Sequence, residues 1–472
     1  MRDRSFVKLF RVVLAVLFIF IGIQKVLSQE QTKWDDMKNL ISNIAPPRFA
    51  DKDFVITNYG AVGDGVTNCS KAIEKAILMC CKAGGGRVVV PSGAYFTGPI
   101  YLRSNVNLHL EKGSTLLFST NPDDYLPLVY TRWEGIELMN YSPLIYSYKE
   151  HNIAITGEGV LDGQSANNNW WPWKGRKDHG WKVGTPNQTD SDKRSALFEM
   201  ADKNVPVNQR KFGKGYYLRP QFIQPYLCDN VLIEDVKILN SPMWVLNPVL
   251  CNNVIISRVC VESEGPNSDG CDPESCKNVW IKDCFFKTGD DCIALKSGRN
   301  RDGRKINVPC ENVLVQNCTM INGHAGIGVG SEISGGVKNV FFENCKIINT
   351  MWGVRIKTSS ARGGYNSNIY IRNIEAEKIS NQSICITMLY EDRGDYVPTI
   401  DNVEIKNVTI KGGGKEGLVI EGYPTSPIKN LEIENVNITD VKVPLRTVNV
   451  EEPVFKNLFI NGQKIESLSN KK

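Results

Sequence analysis

The sequence predicts an all-β chain folded as a right-handed parallel β-helix with an N-terminal capping helix. Two observations support this prediction. From Asn230 onward one strand pattern recurs with a period of about 28 residues, which is typical of a solenoid. In each copy apolar residues alternate with polar ones, which is typical of a strand with one buried face. The composition agrees, because 42% hydrophobic and 23% charged residues are ordinary values for a globular protein.

The amino terminus has the pattern of a secretory signal over residues 1–28. Four basic residues precede an apolar run from Val12 to Ile23, which is shorter than the roughly 20 residues of a bilayer span. Cleavage is expected after Ser28, which places the protein outside the cell or in a cell wall, and an uncleaved signal anchor is the alternative. Seven Asn-X-Ser/Thr sequons fit a secretory route: Asn68, Asn140, Asn187, Asn317, Asn381, Asn407 and Asn437.

The charge balance argues against a nucleic acid partner. The formal net charge of the whole chain is +5, and residues 1–28 contain five basic residues and one acidic residue. Removing them subtracts 4 and leaves a net charge of +1. The apparent basicity therefore belongs mostly to the signal segment, and no basic footprint for nucleic acid remains.

The remaining chain divides into an N-terminal extension at 29–50, a β-helix domain at 51–465 and a C-terminal tail at 466–472. Phe54–Tyr59 alternates as a strand, and Ser70–Lys82 is predicted to form a helix that ends at Gly84. Because a solenoid exposes apolar coil edges at its ends, we expect this helix to cap the first coil. Residues 165–217 break the period and are predicted to form a long loop over one face.

The repeats open on an asparagine and continue through two short strands. Apolar residues occupy the first and third positions after the Asn and again the sixth and eighth, with a polar bend between them. Each coil is therefore expected to bury its inward face against the coils above and below. The copies begin at Asn230, Asn253, Asn278, Asn312, Asn339, Asn368, Asn402 and Asn430, with a truncated one at Asn457.

The fourteen cysteines do not all indicate a disulfide framework. Cys284, Cys318 and Cys345 occupy the sixth position of successive repeats, where the other copies carry Val or Ile. We therefore expect these three thiols to be unpaired, small apolar side chains of the core. Among the others, Cys271 and Cys276 are candidate disulfide partners, although sequence alone does not pair them.

Three aspartates lie at equivalent places in two successive repeats. Asp269 and Asp291 are 22 positions apart, close to one turn of the solenoid, and Asp290 precedes Asp291. Carboxylates that stack on one face repel each other, so we expect the pKa of at least one of them to rise. A proton-holding acid beside ionised carboxylates is what a glycosidase needs. Aspartates that only cap turns and a Ca²⁺ site are the alternatives.

The next two repeats add a histidine and two cations. His324 is one of only four histidines, and Arg355 and Lys357 occupy alternate positions of one predicted strand, so both face the same way. Arg and Lys in a cleft bind acidic groups, Arg through a two-pronged grip and Lys as a point charge. This path of charges favours an acidic substrate.

Together these residues resemble the polygalacturonase family of glycoside hydrolases, family 28, with its pectinase-like solenoid. Four motifs match in order: Asn267-Ser-Asp269, Gly289-Asp-Asp291, Gly323-His324 and Arg355-Ile-Lys357. Ala325 after His324, where the family usually has Gly, and Ser268 in place of a common Thr are departures. The run Ser268–Cys276 and the segment Thr131–Gly135 look more like the exo-acting, bacterial-type branch, in which loops such as 165–217 block one end of the cleft.

The resemblance implies a role for each residue. Asp290 is the implied general acid, Asp269 and Asp291 activate water, and His324 tunes the acid. Arg355 and Lys357 would bind the substrate carboxylate. Three further residues are possible sugar contacts: Lys296, Glu332 and Tyr390.

The expected function is therefore a secreted glycoside hydrolase that cleaves α-1,4-galacturonosyl linkages of pectin by single-displacement inversion, with exo action favoured. The expected partner is an acidic polysaccharide, pectin or homogalacturonan, with no cofactor, metal, nucleic acid or stable membrane span, and the chain is expected to be a monomer. A rhamnogalacturonan hydrolase, a β-helix pectate lyase that works through β-elimination, and a wall-binding protein without catalysis are the alternatives.

Overall fold

The computed structural model describes residues 32–467. The predicted signal segment at 1–28 and residues 468–472 of the predicted tail lie outside the described residues. The chain divides into two units between Ala45 and Pro46. The described part of the first unit contains a helix over 32–42, and the second unit contains every strand. Within 32–467, no helix is both long enough and apolar enough to cross a membrane.

The second unit is a right-handed parallel β-helix, as predicted. Its largest sheet has 22 strands and forms two faces of the coils. The first face consists of strands Asp53–Val55, Gly86–Val90, Val106–Leu110, His151–Gly157, Asp229–Glu234, Asn252–Ser257, Lys277–Lys282, Cys310–Gln316, Val337–Ile348, Tyr365–Glu377, Thr399–Lys411, Lys429–Ile438 and Val454–Ile460, with Gln463–Ile465 antiparallel at the end.

The second face runs beside the first and merges with it from Val337–Ile348 onward, because the later strands continue through the bend. Its separate strands are Asp64–Asn68, Gly93–Thr97, Ser114–Phe118, Val160–Asp162, Lys237–Leu239, Cys260–Ser263, Phe285–Thr288 and Thr319–Asn322.

The third face holds the predicted site residues. It begins with three short parallel strands, Ile100–Tyr101, Ile145–Tyr148 and Ile223–Tyr226. Single bridges through Leu246 and Cys271 connect them to a six-stranded parallel sheet. The strands of that sheet are Ile293–Leu295, Ala325–Val329, Trp352–Lys357, Gln382–Thr387, Gly414–Glu421 and Val441–Val448.

The remaining elements lie in the segments that connect the strands of the three faces. An antiparallel hairpin of Val129–Trp133 and Ile136–Asn140, joined by Lys211–Phe212, forms a separate small sheet. The region predicted as one long loop at 165–217 contains a helix, Arg194–Asp202, so that part of the prediction was wrong. A further helix is Asn300–Ile306, and 3₁₀ turns are Ile56–Tyr59, Pro122–Tyr125, Trp171–Lys174, Lys177–His179 and Val207–Gln209.

The asparagines that open the repeats explain the repeated pattern. They adopt left-handed backbone conformations, which Asn tolerates better than most residues. Their side chains then bond from coil to coil: the amide of Asn312 donates to Asn278 at 3.0 Å, Asn339 to Asn312 at 3.2 Å and Asn368 to Asn339 at 2.9 Å. The chain of amides satisfies polar groups at a bend that every coil repeats.

The cysteines line the interior. Cys284, Cys318 and Cys345 are at most 2% exposed and unpaired, as predicted. All fourteen cysteines are free, so the suggested Cys271–Cys276 disulfide is wrong. Both residues are fully buried in the core, where they serve as small apolar side chains.

The first coil is capped as predicted. The helix Ser70–Lys82 buries Ala72, Ile73, Ala76 and Ile77 in the core that fills the solenoid. The strand predicted for Phe54–Tyr59 is shorter, because Asp53–Val55 passes directly into the 3₁₀ turn Ile56–Tyr59, which ends at Gly60 with a φ of 101°.

Candidate active site

Two of the three aspartates occupy the same position on consecutive coils. Cys271 pairs with Ile293 as a parallel bridge, so Asp269 and Asp291, each two residues earlier, are in register. The Gly270 amide donates to the Asp291 carbonyl at 3.0 Å. The expectation that a spacing of 22 residues stacks these groups is confirmed, and both lie where the chain enters the third face.

Asp290 and His324 form a close pair. His324 Nδ1 lies 2.8 Å from Asp290 Oδ1, and the side chains are 36% and 18% exposed, the largest exposures among the carboxylates and imidazole of the site. Burial pushes the pKa of Asp290 upward, but the hydrogen bond and charge of His324 outweigh it and hold that pKa below its ordinary value. The same hydrogen bond raises the pKa of His324. The two groups therefore share one proton, held on the imidazole up to a higher pH than a free histidine would allow.

A buried arginine supports the other oxygen of Asp290. The Asn267 amide donates to Asp290 Oδ2 at 3.3 Å, and Arg219 Nη2 donates to Asn267 Oδ1 at 2.8 Å. Arg219 is fully buried, and burial lowers its pKa to about 10. Its other bonds go to the carbonyls of Pro242 and Pro266 and to Gln188. This arrangement fixes the carboxylate that shares the proton.

Asp291 is held at both oxygens. Lys357 Nζ donates to Oδ2 at 2.7 Å, and the backbone amide of Ala325 donates to Oδ1 at 3.0 Å. The Lys357 side chain is 8% exposed. The predicted substrate-binding Lys357 therefore lies beside Arg355 on strand Trp352–Lys357 as expected, and its ammonium contacts a carboxylate of the protein.

Arg355 lies between two aromatic rings. Its guanidinium carbon is 3.5 Å from the centre of the Trp352 ring and 5.0 Å from that of Tyr390. Within residues 32–467 its buried Nε has no hydrogen-bond partner. Stacking fixes the plane of the guanidinium while its N–H groups stay available to a carboxylate. Tyr390 thus lies at the site, 5.4 Å from Lys357 Nζ.

Asp269 lies in a deeper cluster of charges. Burial, with the nearby Asp272 and Asp290, raises its pKa well above the ordinary value. Lys296 Nζ lies 3.8 Å from Asp269, 3.7 Å from Asp272 and 3.4 Å from Glu332. Lys296 is also 4.5 Å from the centre of the Trp244 ring. The two possible sugar contacts Lys296 and Glu332 are therefore buried ion-pair partners at the floor of the site.

The hairpin Val129–Asn140 packs on the third face, against the coil of Gln224, the coil of Asp269 and the coil of Asp290. The carbonyl of Arg132 accepts bonds from Gln221 at 2.8 Å and Gln224 at 3.1 Å, and its guanidinium lies 3.3 Å from Glu274. Arg132, Gln224 and Glu274 are all fully buried. The hairpin therefore shields this part of the third face from solvent.

Sequence reasoning missed Arg219, Gln188, Lys174 and Arg132. All four lie outside the repeating region, where periodicity gives no information. Lys174, at the end of the turn Trp171–Lys174, also contributes positive charge at Asp290. Two sequence signals lay nearby. The tryptophans of 165–217 indicated a covering segment, which contains Lys174 and Gln188, and the segment Thr131–Gly135, which contains Arg132, resembled the exo-acting branch. Neither signal gave a role to an individual polar residue.

The same groups could in principle hold a cation. Ligand atoms of Asp290, Asp291 and His324 lie within 4.8 Å of one another. Ca²⁺ prefers a shell of oxygen ligands, whereas one of these three is an imidazole nitrogen directed at Asp290. The donor set therefore suits proton transfer better than calcium binding.

A parallel β-helix with an acidic cluster beside a stacked arginine is typical of a polysaccharide-cleaving enzyme. Comparison with known proteins makes this specific. Residues 208–455 match the family described as Glycosyl hydrolases family 28, and residues 54–110 match one described as Rhamnogalacturonase A/epimerase, pectate lyase-like. The first match covers more than half of the chain and every predicted catalytic residue. The chain belongs to glycosyl hydrolases family 28.

Individual relatives agree. The crystal structure of a hyperthermoactive exopolygalacturonase from Thermotoga maritima is 44% identical, with a TM-score of 0.87, over 91% of this chain and 97% of that one. An exo-poly-alpha-D-galacturonosidase of Dickeya chrysanthemi is 27% identical over 86% of this chain and 70% of its own length. A protein of Vitis vinifera named Probable polygalacturonase is 29% identical over 84% of this chain and 77% of its own length.

Proposed function

We propose that this protein hydrolyses the α-1,4-galacturonosyl linkages of pectin from a chain end, with inversion of the anomeric centre. The observation that carries the proposal is the proton-sharing pair of Asp290 and His324, set beside two further carboxylates. Arg355 stacks on Trp352, whose ring centre lies 6.3 Å from that of His324. The names of the similar proteins support galacturonan as the substrate.

The geometry supports Asp290 as the proton donor. Hydrolysis requires an acid that delivers a proton to the leaving oxygen and a base that takes one from water. Asp290 is the most exposed of the three aspartates, and its proton is held jointly with His324. The proton can pass from the imidazole to Asp290 as Asp290 delivers a proton to the glycosidic oxygen. A low pKa of the Asp290 carboxyl is therefore compatible with acid catalysis.

The pH profile tests this pair. Because the pair must be protonated to act, kcat/KM falls as the pH rises through its pKa, which His324 places above the ordinary histidine value. We expect His324→Gln to move the alkaline limb of kcat/KM to lower pH, since the proton must then lie on the carboxyl alone. His151→Gln, at an exposed position on the first face, is the matched control. An alkaline limb that stays in place in His324→Gln would contradict the shared proton.

Exo action is supported by two segments that pack around the site. The hairpin Val129–Asn140 covers Gln224 and Glu274 on the third face, which leaves less of this face open to a polymer. On the same side, the segment at 165–217 packs close to the site, with Trp171 Nε1 bonded to the Ser241 carbonyl at 3.0 Å and its ring against Gly265. We propose that these two segments block one end of the cleft, so that a substrate enters from the other.

Product analysis on defined galacturonate oligomers tests the mode of action. We expect galacturonate monomer as the single small product from the earliest time points, with the remaining chain shortened in steps. A ladder of intermediate lengths at early times would indicate endo action. Absorbance of an unsaturated product, dependent on added Ca²⁺, would instead indicate the lyase alternative, and preferential cleavage of purified rhamnogalacturonan would indicate the other hydrolase.

We further propose that the protein is secreted and acts as a monomer on cell-wall pectin. The signal-like pattern of residues 1–28 supports secretion. Of the sequons, Asn140 and Asn187 are at most 4% exposed in the folded chain, so any glycan is expected on the others. The molecular mass and amino-terminal sequence of the protein recovered from culture medium would test cleavage, glycosylation and oligomeric state together.

A further inference from the structure

We propose that Asp269, and not Asp291, accepts the proton of the attacking water, and that Lys296 is a positioning residue that favours the ionised form of Asp269. This inference rests on the proposed hydrolytic function and deepens it, since the family resemblance gave both aspartates the same role. It also changes the expected role of Lys296 from a sugar contact to a partner of the base.

The two aspartates differ in how the protein uses their oxygens. Each oxygen of Asp291 already accepts a hydrogen bond, from Lys357 at 2.7 Å and from the Ala325 amide at 3.0 Å. Oδ1 of Asp269 has no hydrogen-bond partner within residues 32–467, and Lys296 Nζ lies 3.8 Å from its Oδ2. Because bonds to a charged carboxylate stabilise the charge and occupy its lone pairs, Asp291 is the weaker proton acceptor. Asp269 keeps its lone pairs for water.

An unbonded, buried carboxylate needs a cation to remain charged. The acidic groups that face Asp269 are Asp272, Asp290 and Asp291, and all of them disfavour its ionised form. Lys296 is the cation that acts against them. Arg219 also lies in range, but its guanidinium is already bonded to carbonyls, Gln188 and Asn267.

The surroundings of Lys296 hold its ammonium close to Asp269. Its side chain is 4% exposed, its ammonium faces Asp269, Asp272 and Glu332, and its position over the Trp244 ring restricts where it can move. Lys296 Nζ donates a hydrogen bond to Glu332 at 3.4 Å, and Glu332 also lies 3.3 Å from Arg299, so the ammonium balances the charge of the two aspartates as well. Neither oxygen of Asp272 has a hydrogen-bond partner within residues 32–467, so the charge of Lys296 is needed there too.

Hydrolysis proceeds by a single displacement at the anomeric carbon. A bond forms between the water oxygen and the anomeric carbon, and one water proton passes to Asp269. The bond from the anomeric carbon to the glycosidic oxygen breaks, its electron pair stays on that oxygen, and the proton from Asp290 neutralises it. Asp291 contributes charge and orientation without receiving a proton.

Azide distinguishes the two aspartates, because it is a nucleophile that needs no base. We expect Asp269→Ala and Asp291→Ala each to lower hydrolysis by about 10²–10⁴-fold. Sodium azide is expected to restore turnover at least about tenfold in Asp269→Ala only, with formation of a β-galacturonosyl azide from the α-linked substrate. Rescue of Asp291→Ala, of both variants or of neither would overturn the assignment.

The pH profile tests Lys296 separately. A base must be ionised to act, so kcat/KM rises with pH through the pKa of the base. Removing a cation within about 4 Å raises a carboxyl pKa by about 1–3 units, so Lys296→Met is expected to move the acid limb of kcat/KM upward by that amount. Lys296→Arg is expected to restore the original limb, and Lys346→Met, at an exposed position, is the matched control.

Two further features keep this test decisive. Lys296→Met leaves buried carboxylates without their cation and can destabilise the fold. The double variant Lys296→Met/Asp272→Asn reduces this effect, because it removes the negative charge of one aspartate together with the positive charge of the lysine. A raised KM with an unmoved acid limb in any folded variant would show a sugar contact and overturn the positioning role. If the wild-type protein releases no β-configured product from galacturonate oligomers, the proposed function fails. If the wild type is active but azide does not rescue Asp269→Ala alone, only this inference is overturned.

Discussion

Asp290→Asn is expected to lower kcat on galacturonate oligomers by about 10²–10⁴-fold, the usual contribution of a positioned general acid. The amide keeps the size of the side chain and can bond to Asn267 and His324, but it has no acidic proton to give to the leaving oxygen. The measurement is the initial rate of reducing-end release at several substrate concentrations, so that kcat and KM separate.

The fold must be shown to survive this change. Asp229→Asn, at an exposed strand position, is the matched control and is expected to have wild-type activity. Thermal unfolding of Asp290→Asn should be near that of the wild type, because the substitution is isosteric. If Asp290→Asn keeps more than a small fraction of kcat, the acid must be sought elsewhere in the cluster.

Arg355→Ala is expected to lower kcat/KM by about 10- to 150-fold, which corresponds to hydrogen bonds worth about 1.5–3 kcal/mol to a charged group. The guanidinium is stacked on Trp352, and within residues 32–467 it forms no ion pair that would compete with a substrate carboxylate. Arg355→Lys keeps the positive charge but loses the planar pair of N–H donors, so we expect an intermediate loss of kcat/KM.

Methyl-esterified oligomers give this prediction its sharpest test. An ester removes the carboxylate that Arg355 would bind, so the wild type and Arg355→Ala should differ little on that substrate. Arg446→Ala is the matched control, because Arg446 lies in register with Arg355 three coils further on and pairs with Glu416 and Glu421. An equal loss of kcat/KM on acid and ester substrates would show that Arg355 supports the fold of the cleft and does not bind the substrate carboxylate.

The fold and the catalytic coils were predictable because both depend on the repeat. One period separates residues that stack, so the spacing of Asp269 and Asp291 already placed them together. Arg355 and Lys357 were correctly placed on one strand for the same reason. Their partners were not predictable. Lys357 bonds to Asp291 across 66 residues, while Arg355 packs on rings, a difference that side-chain direction alone does not reveal.

The sequence by itself determined the solenoid, its capping helix, the buried thiols and the face on which the acidic and cationic groups gather, since each follows from local periodicity. Only the tertiary structure decided that a hairpin packs on the third face, that Arg219 fixes Asp290 through Asn267, and that Lys296 faces two aspartates. These contacts join residues from aperiodic segments to the coils or join side chains across several strands. Their formation depends on the path of the whole chain through space, which no spacing in the sequence encodes.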